Sequence, residues 1–202
     1  MHITITGSLG SGKSSVSKYI SENFNLVRYS TGDVQRELAK QLGMTTLEFN
    51  LFCQQQDDAA YDHMIDDKVV RIATEHQDDD IIFDSRMAWH FVPHSFKVFL
   101  WVDPEVAARR VFEDDKRGGV ESYSSLEEAS QKLKARALSE SERFYTFYGV
   151  RYTDLGHFDL VIDTSQASIP EIAEIIIASS QLHEAGKFSV KTGVIRNPGE
   201  FH

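Results

Sequence analysis

Residues 7 to 14 read Gly7-Ser8-Leu9-Gly10-Ser11-Gly12-Lys13-Ser14 and fit the pattern G-x-x-x-x-G-K-[ST] at every fixed position. Successive backbone N–H groups of such a loop, with the helix N-terminus behind it, point into one concavity and favour an anion there. Lys13 would place a point charge on the outer phosphates, and the Ser14 hydroxyl would join the shell of a Mg²⁺ ion.

Other residues have the types to complete phosphate chemistry. Arg136, Glu140 and Arg143 are spaced four and three residues apart, which puts them within about 60° of one another on a helix. The stripe reads either as a solvated face of ion pairs or as a phosphate clamp, since a guanidinium fork meets phosphate oxygens bidentately. Asp84-Ser85-Arg86 follows an apolar run. An acid there reaches the metal directly or through water, and Arg86 would lie near a transferred phosphoryl group; an ordinary turn is the plain alternative. Asp33 and Arg36 follow Ser30-Thr31-Gly32, where Ser30 or Thr31 would cap a helix. Asp58, Asp62 and Asp66 form a four-residue-spaced acidic row, open between a metal or ribose site, arginine partners and a solvated face. Arg109 or Arg110 could stack on a base, although both are also ordinary helix-surface arginines. The histidines show no metal-ligand spacing with acids or with Cys53.

The elements that must hold these groups alternate. Short apolar runs near 2–6, 26–30, 81–84, 98–102 and 160–164 read as strands, with amphipathic helical segments between them. This predicts an α/β fold with a five-stranded parallel sheet and helices on both faces. Ligands then bind beyond the carboxyl ends of the strands, which singles out residues 7–14, 31–36, 84–86 and 103–110 and Ser165. The helix after the loop should bury Val16, Tyr19, Ile20 and Phe24; a later one should bury Tyr61, Met64, Ile65, Val69 and Ile72. Breaks are expected at Leu42-Gly43, at Gln56-Asp57 and at the hinge-like Arg117-Gly118-Gly119, with a helix resuming near Ser125. From Gln181 onward the pattern fades into a tail with a β-like piece at 188–195, free to dock on the chain's own surface or on a neighbour.

The 202 residues suggest one domain. A net charge of −10 argues against a general nucleic-acid surface. Cys53 is the only cysteine, so no internal disulfide forms. The first strand begins almost at once and no run approaches the length of a membrane span, so a cytoplasmic enzyme is expected.

These motifs in this order resemble the nucleoside monophosphate kinases, and most closely the compact cytidylate kinases of the archaeal type. The likeness covers nearly all of residues 1–180. It includes His2-Ile3-Thr4-Ile5-Thr6-Gly7, Ser30-x-Gly32-Asp33, Glu37-Leu38-Ala39 and the acidic row. It continues through Asp84-x-Arg86 and Arg136-x-x-Ser139-Glu140-Ser141-Glu142-Arg143-Phe144-Tyr145 to Tyr148-Gly149. The resemblance implies a three-layer P-loop NTPase fold with a helical NMP-binding insertion at about 33–77, a short lid at about 111–135, and a tail at 181–202 outside the pattern.

It implies ATP as donor, held by Gly7 through Ser15 (Gly7, Ser8, Leu9, Gly10, Ser11, Gly12, Lys13, Ser14, Ser15), with Arg110, or less surely Arg109, near the adenine. Thr164 and Ser165 would also line the donor base. The acceptor, CMP or dCMP, would be held by Asp33, Arg36, Arg86, Arg136, Glu140 and Arg143, with Glu140 on the sugar. Lys13, Arg86, Arg136 and Arg143 would carry catalysis, and Ser14 and Asp84 the Mg²⁺. The implied setting is pyrimidine nucleotide metabolism, with no nucleic acid or membrane partner, in a monomer or weak dimer. Departures from the family are Ser85 in place of its usual glycine, a Trp89-His90-Phe91 stretch bulkier than expected beside an acceptor site, and the tail. A P-loop kinase of another small acceptor and a non-catalytic ATP-binding regulator are the alternatives.

Overall fold

The computed structural model describes residues 1–44, 48, 52, 60–115, 123–188 and 194–195. Strands β1 (His2–Gly7), β2 (Val27–Ser30), β3 (Ile81–Asp84), β4 (Phe96–Trp101), β5 (Leu160–Asp163) and β6 (Val194–Ile195) form one sheet in the order β2-β3-β1-β4-β5-β6. Every pairing is parallel. The five expected strands are present in register with one another. The tail contributes a sixth, with Val194 and Ile195 beside Val161 and Ile162.

The central strand is buried on both faces, with Ile3 and Ile5 alternating with Thr4 and Thr6, all at 0% exposure. That burial needs helices on both sides. One layer holds α1 (Lys13–Asn23), which follows the glycine loop, and the carboxyl-terminal helix Ile169–Glu184. Val16, Ile20, Ile172, Ala173 and Ile176 close over Ile3, Ile5, Val98 and Leu100. Ser168 and Glu171 form a capping box on the later helix, which fixes its start. The opposite layer buries Met87, Trp89, Phe99, Phe144, Tyr152, Phe158 and Val161.

Between the strands run α2 (Thr31–Gln41), α3 (Ala60–Glu75), α4 (Ala88–Phe91), α5 (Pro104–Asp115) and α6 (Leu126–Tyr148), so the carboxyl-terminal helix is α7. Ser30 caps α2, its hydroxyl accepting from Asp33 N at 3.3 Å, and the helix stops before Leu42-Gly43 as expected. Ser125 caps α6 by accepting from Glu128 N at 3.1 Å, and Gly149 ends that helix in the left-handed region. The expected breaks at Gln56-Asp57 and Arg117-Gly118-Gly119 lie outside the described residues.

Three expectations are corrected. On α3, Ile65 and Val69 are buried but Met64 is 44% exposed, because the helix turns it away from the sheet into a groove against α2. The helical pattern does not end at residue 180: α7 continues to Glu184. Beyond it Phe188 packs on Phe96, ring centroids 5.3 Å apart, so this part of the tail docks on the chain's own core. Finally, the bulk of Trp89 goes into the core. Trp89 is 4% exposed, stacks on His157 at 4.6 Å and donates from Nε1 to Arg86 O at 3.0 Å.

Candidate active site

The glycine loop leaves β1 and is pinned where it crosses β4, with Ser8 N donating to Leu100 O at 2.9 Å. Gly7 must be glycine because a Cβ would lie 2.6 Å from that same carbonyl oxygen. Gly10 combines φ +77° with a would-be Cβ contact of 2.9 Å to Ala107, so α5 packs directly on the loop. Ser11 is 1% exposed, and its Oγ has no hydrogen-bond partner among the described residues. The loop thus holds an orphaned polar atom, which suits a phosphate oxygen. Ser14 and Ser15 sit in the first turn of α1 with exposed side chains.

Two ionic knots lie at the ends of β1 and β3. In the first, Asp84 is fully buried. Lys13 Nζ pairs with its Oδ1, while Oδ2 receives the Ser17 hydroxyl at 3.1 Å and Arg28 Nη2 at 2.6 Å. Burial alone would push the Asp84 carboxyl up; Lys13 first and Arg28 second overcome it and hold it at about 2. Burial pulls the Lys13 ammonium down, against the pull of Asp84. Arg28 also donates to Asp33 Oδ2 at 2.6 Å, and Asp33 pairs in turn with Arg36.

In the second knot, Arg86 Nε donates to Glu140 Oε2 at 2.8 Å and its Nη1 to Gly7 O at 2.9 Å. Arg136 Nε donates to Glu140 Oε1 at 2.9 Å. Burial pushes the Glu140 carboxyl up, but Arg86 and then Arg136 outweigh it and hold it at about 2. Tyr152, buried at 1% exposure, sets its ring 5.8 Å from the Arg86 guanidinium. Arg143, one helical turn beyond Glu140, stacks over Phe144 at 4.9 Å.

Arg110 closes the far side of the loop. Its Nη2 donates to Thr164 O at 2.6 Å and its Nη1 to the Thr164 hydroxyl at 3.3 Å. Arg109 is exposed and points elsewhere on α5. The loops after β4 and β5 are laced together, with Ser165 Oγ accepting from Asp103 N at 2.9 Å and donating to Asp163 Oδ1 at 2.6 Å.

Of the acidic row only the Asp66 side chain is described. Asp58 and the side chain of Asp62 lie outside the described residues, while Asp66 is 9% exposed and accepts from the Tyr148 hydroxyl. That bond ties α3 to the foot of α6, and no cluster of three metal-ligating residues exists among the described residues. Ser85, the departure from the family glycine, is 4% exposed and accepts from Met87 N at 3.3 Å, turning the chain into α4. Between α2 and α3 a groove of about 560 Å³ is lined by Val34, Leu38, His63, Met64, Ile65, Asp67, Lys68 and Arg71.

Sequence reasoning missed Arg28 and Ser17. The available signal was a cation inside a four-residue strand between Val27 and Tyr29, which requires an acidic partner once the strand packs.

A parallel sheet with a glycine loop at its central strand and cationic side chains converging on that loop is the architecture of a P-loop kinase. The solved structure of shikimate kinase from Bacteroides thetaiotaomicron shares the fold at a TM-score of 0.55 and 16% identity, over 91% of this chain and 98% of that one. The family model described as cytidylate kinase-like matches residues 2–166, and the chain belongs to that family of phosphotransferases. A cytidylate kinase of Methanospirillum hungatei is 31% identical over 182 residues, 90% of this chain and 97% of that protein. An S-adenosylmethionine-dependent nucleotide dehydratase of Lacinutrix mariniflava is 33% identical over 184 residues. The match takes in 91% of this chain but 36% of that relative, so the chain spans about a third of its length. No helix among the described residues is long and apolar enough to cross a membrane.

Proposed function

We propose that the chain transfers the γ-phosphoryl group of ATP to the phosphate of CMP or dCMP, giving ADP and CDP or dCDP. An acceptor phosphate oxygen attacks the γ-phosphorus in line, the bond to the bridging oxygen breaks, and ADP leaves with that oxygen. The acceptor is already an anionic nucleophile near neutral pH, so the residues need only position and neutralise. The glycine-loop amides and Lys13 hold the donor phosphates. Arg36, Arg86, Arg136 and Arg143 take the acceptor phosphate and the charge in transit. Asp33 would orient Arg36, Glu140 would hold a sugar hydroxyl of the acceptor, and Arg110 with Thr164 and Ser165 would frame the donor base. The exposed hydroxyl of Ser14 is chemically suited to Mg²⁺, which when bound would neutralise charge on the donor phosphates; Asp84, with both oxygens held by Lys13 and Arg28, would meet the ion only through water.

The observation that carries this reading is Arg86. A single buried guanidinium touches the first residue of the phosphate loop and the acid of the helix beyond the lid segment. An acceptor phosphate beside it would lie next to the donor's outer phosphates.

The groove between α2 and α3 is the place for the acceptor base. Asp67 and Arg71 stand four residues apart on α3, one helical turn. A carboxylate accepts from the exocyclic amine of cytosine and a guanidinium donates to its ring nitrogen and carbonyl; uracil offers a carbonyl where the amine would be. This supports cytosine as the base.

The test is ADP formation with MgATP against CMP, dCMP, UMP, AMP, GMP, TMP, shikimate and gluconate. Turnover concentrated on CMP or dCMP is the expected result. Preference for any other acceptor overturns the substrate assignment, and ATP binding without turnover on any of them overturns the kinase reading.

A further inference from the structure

Arg28 lies in β2 two residues before the Ser30 cap, with its side chain 19% exposed. It reaches three elements at once. Nε donates to Ser17 Oγ of α1 at 2.8 Å, Nη1 to Asp33 Oδ2 of α2 at 2.6 Å, and Nη2 to Asp84 Oδ2 of β3 at 2.6 Å. Asp84, completely buried, divides its oxygens between two cations: Lys13 on Oδ1 and Arg28 on Oδ2.

This division matters for the lysine. A buried carboxylate stripped of its partner is strongly unfavourable. If Lys13 were the sole counter-charge of Asp84, each departure toward a phosphate would strand that carboxylate. Arg28 removes the obstacle. It holds the oxygen that Lys13 does not, and Ser17 and Asp33 fix the plane of its guanidinium. It belongs to β2 rather than to the glycine loop, so it stays in place when the lysine swings away.

We propose that Arg28 is a positioning residue for phosphoryl transfer, the standing counter-charge of Asp84 that frees Lys13 for the donor's phosphates and ties that carboxylate to Asp33 on the acceptor side. The inference rests on the kinase reading above and extends it to a residue outside the substrate contacts.

The experiment is calorimetric titration of MgADP into the wild-type chain, Arg28→Met, Asp84→Asn and the double variant. Arg28→Met weakens MgADP binding about tenfold, because Lys13 stays with the buried carboxylate. In the Asp84→Asn background there is no charge to compensate, so adding Arg28→Met changes affinity less than about twofold. An equal loss in both backgrounds means that Arg28 only supports the fold, and overturns the proposal. So does no loss in either background.

Arg28→Lys keeps the charge without the fork and serves if the Met variant does not fold. It retains binding within about threefold of wild type. A loss by Lys as large as tenfold overturns the counter-charge role. MgADP binding does not depend on the acceptor. A wild-type chain that binds MgADP but phosphorylates no nucleotide therefore sinks the cytidylate assignment while this cycle still decides the role of Arg28. A wild-type chain that binds no MgADP overturns both.

Discussion

Replacing Glu140 by Gln tests whether the knot between β3 and α6 is ionic in the way its geometry implies. The Glu140 side chain is 16% exposed and lies between Arg86 and Arg136. Its carboxyl is held at about 2 against an ordinary 4.5. A carboxylate with a depressed folded pKa contributes stability that is fully present above the unfolded value and is lost as pH falls through the folded one. For Glu140 that window runs from 4.5 down to about 2. The interval is worth on the order of 3 kcal/mol. Urea unfolding of wild type and Glu140→Gln, followed by tryptophan fluorescence in small pH steps, reads this directly. The gap in unfolding free energy should be largest at neutral pH and shrink steadily through the window. Asp84 remains in both proteins, so its own acid-side loss cancels in the difference. A gap that stays constant from neutral pH to the bottom of the window would refute the argument, since the lost stability would then not come from an ionised carboxylate.

Other expectations follow from the same geometry. Arg136→Ala should lower kcat about tenfold or more while changing ATP affinity little, if its fork grips the phosphoryl group in transit as proposed; equal loss of both in steady-state and binding assays would remove it from the clamp. Asp67→Asn should reduce kcat/KM for CMP relative to UMP by about tenfold, as expected where a built acceptor for an amine is lost; an unchanged ratio would place the base elsewhere. Trp89→Ala should cost about 3–5 kcal/mol of stability by emptying a buried site, with the acceptor KM unmoved in whatever protein remains folded at low temperature. A raised acceptor KM there would return Trp89 to the substrate site.

The sheet was legible because parallel strands buried on both faces are mostly runs of apolar residues, and Ile81-Ile82-Phe83 or Leu160-Val161-Ile162 read as little else. The glycine loop was legible because its spacing is set by backbone sterics that few other sequences satisfy. The ionic partners were not. A helical offset groups Arg136 with Glu140, but nothing in sequence spacing says that Arg86, 54 residues away, donates to the same carboxylate. Asp66 looked like part of a surface row, because its partner Tyr148 comes 82 residues later and only the fold brings them together. Trp89 looked misplaced beside an acceptor site for a related reason. A strand end marks where ligands bind, but α4 turns its indole away from that edge and against His157.

Both knots share a design that bears on how the site waits for substrate. Lys13, Arg28, Arg86 and Arg136 are gathered near one another to meet phosphates, and without substrate their charges would repel. Asp84 and Glu140 each take two of these cations, one from a fixed element of the sheet region and one on the glycine loop or the long helix. In each knot the sheet-side arginine has further anchors. Arg28 is held by Ser17 and Asp33, and Arg86 by Gly7 O and the Tyr152 ring. The outer partner of the second knot, Arg136, is 44% exposed. On the proposed reading an arriving phosphate would compete for one cation of each pair and leave the carboxylate neutralised by the other. The cost of recruiting a cation is kept low, and the arginines are already arranged before substrate binds. On this view Arg28 is to Asp84 what Arg86 is to Glu140, and removing either arginine should harm substrate binding by leaving the other cation as the carboxylate's sole counter-charge.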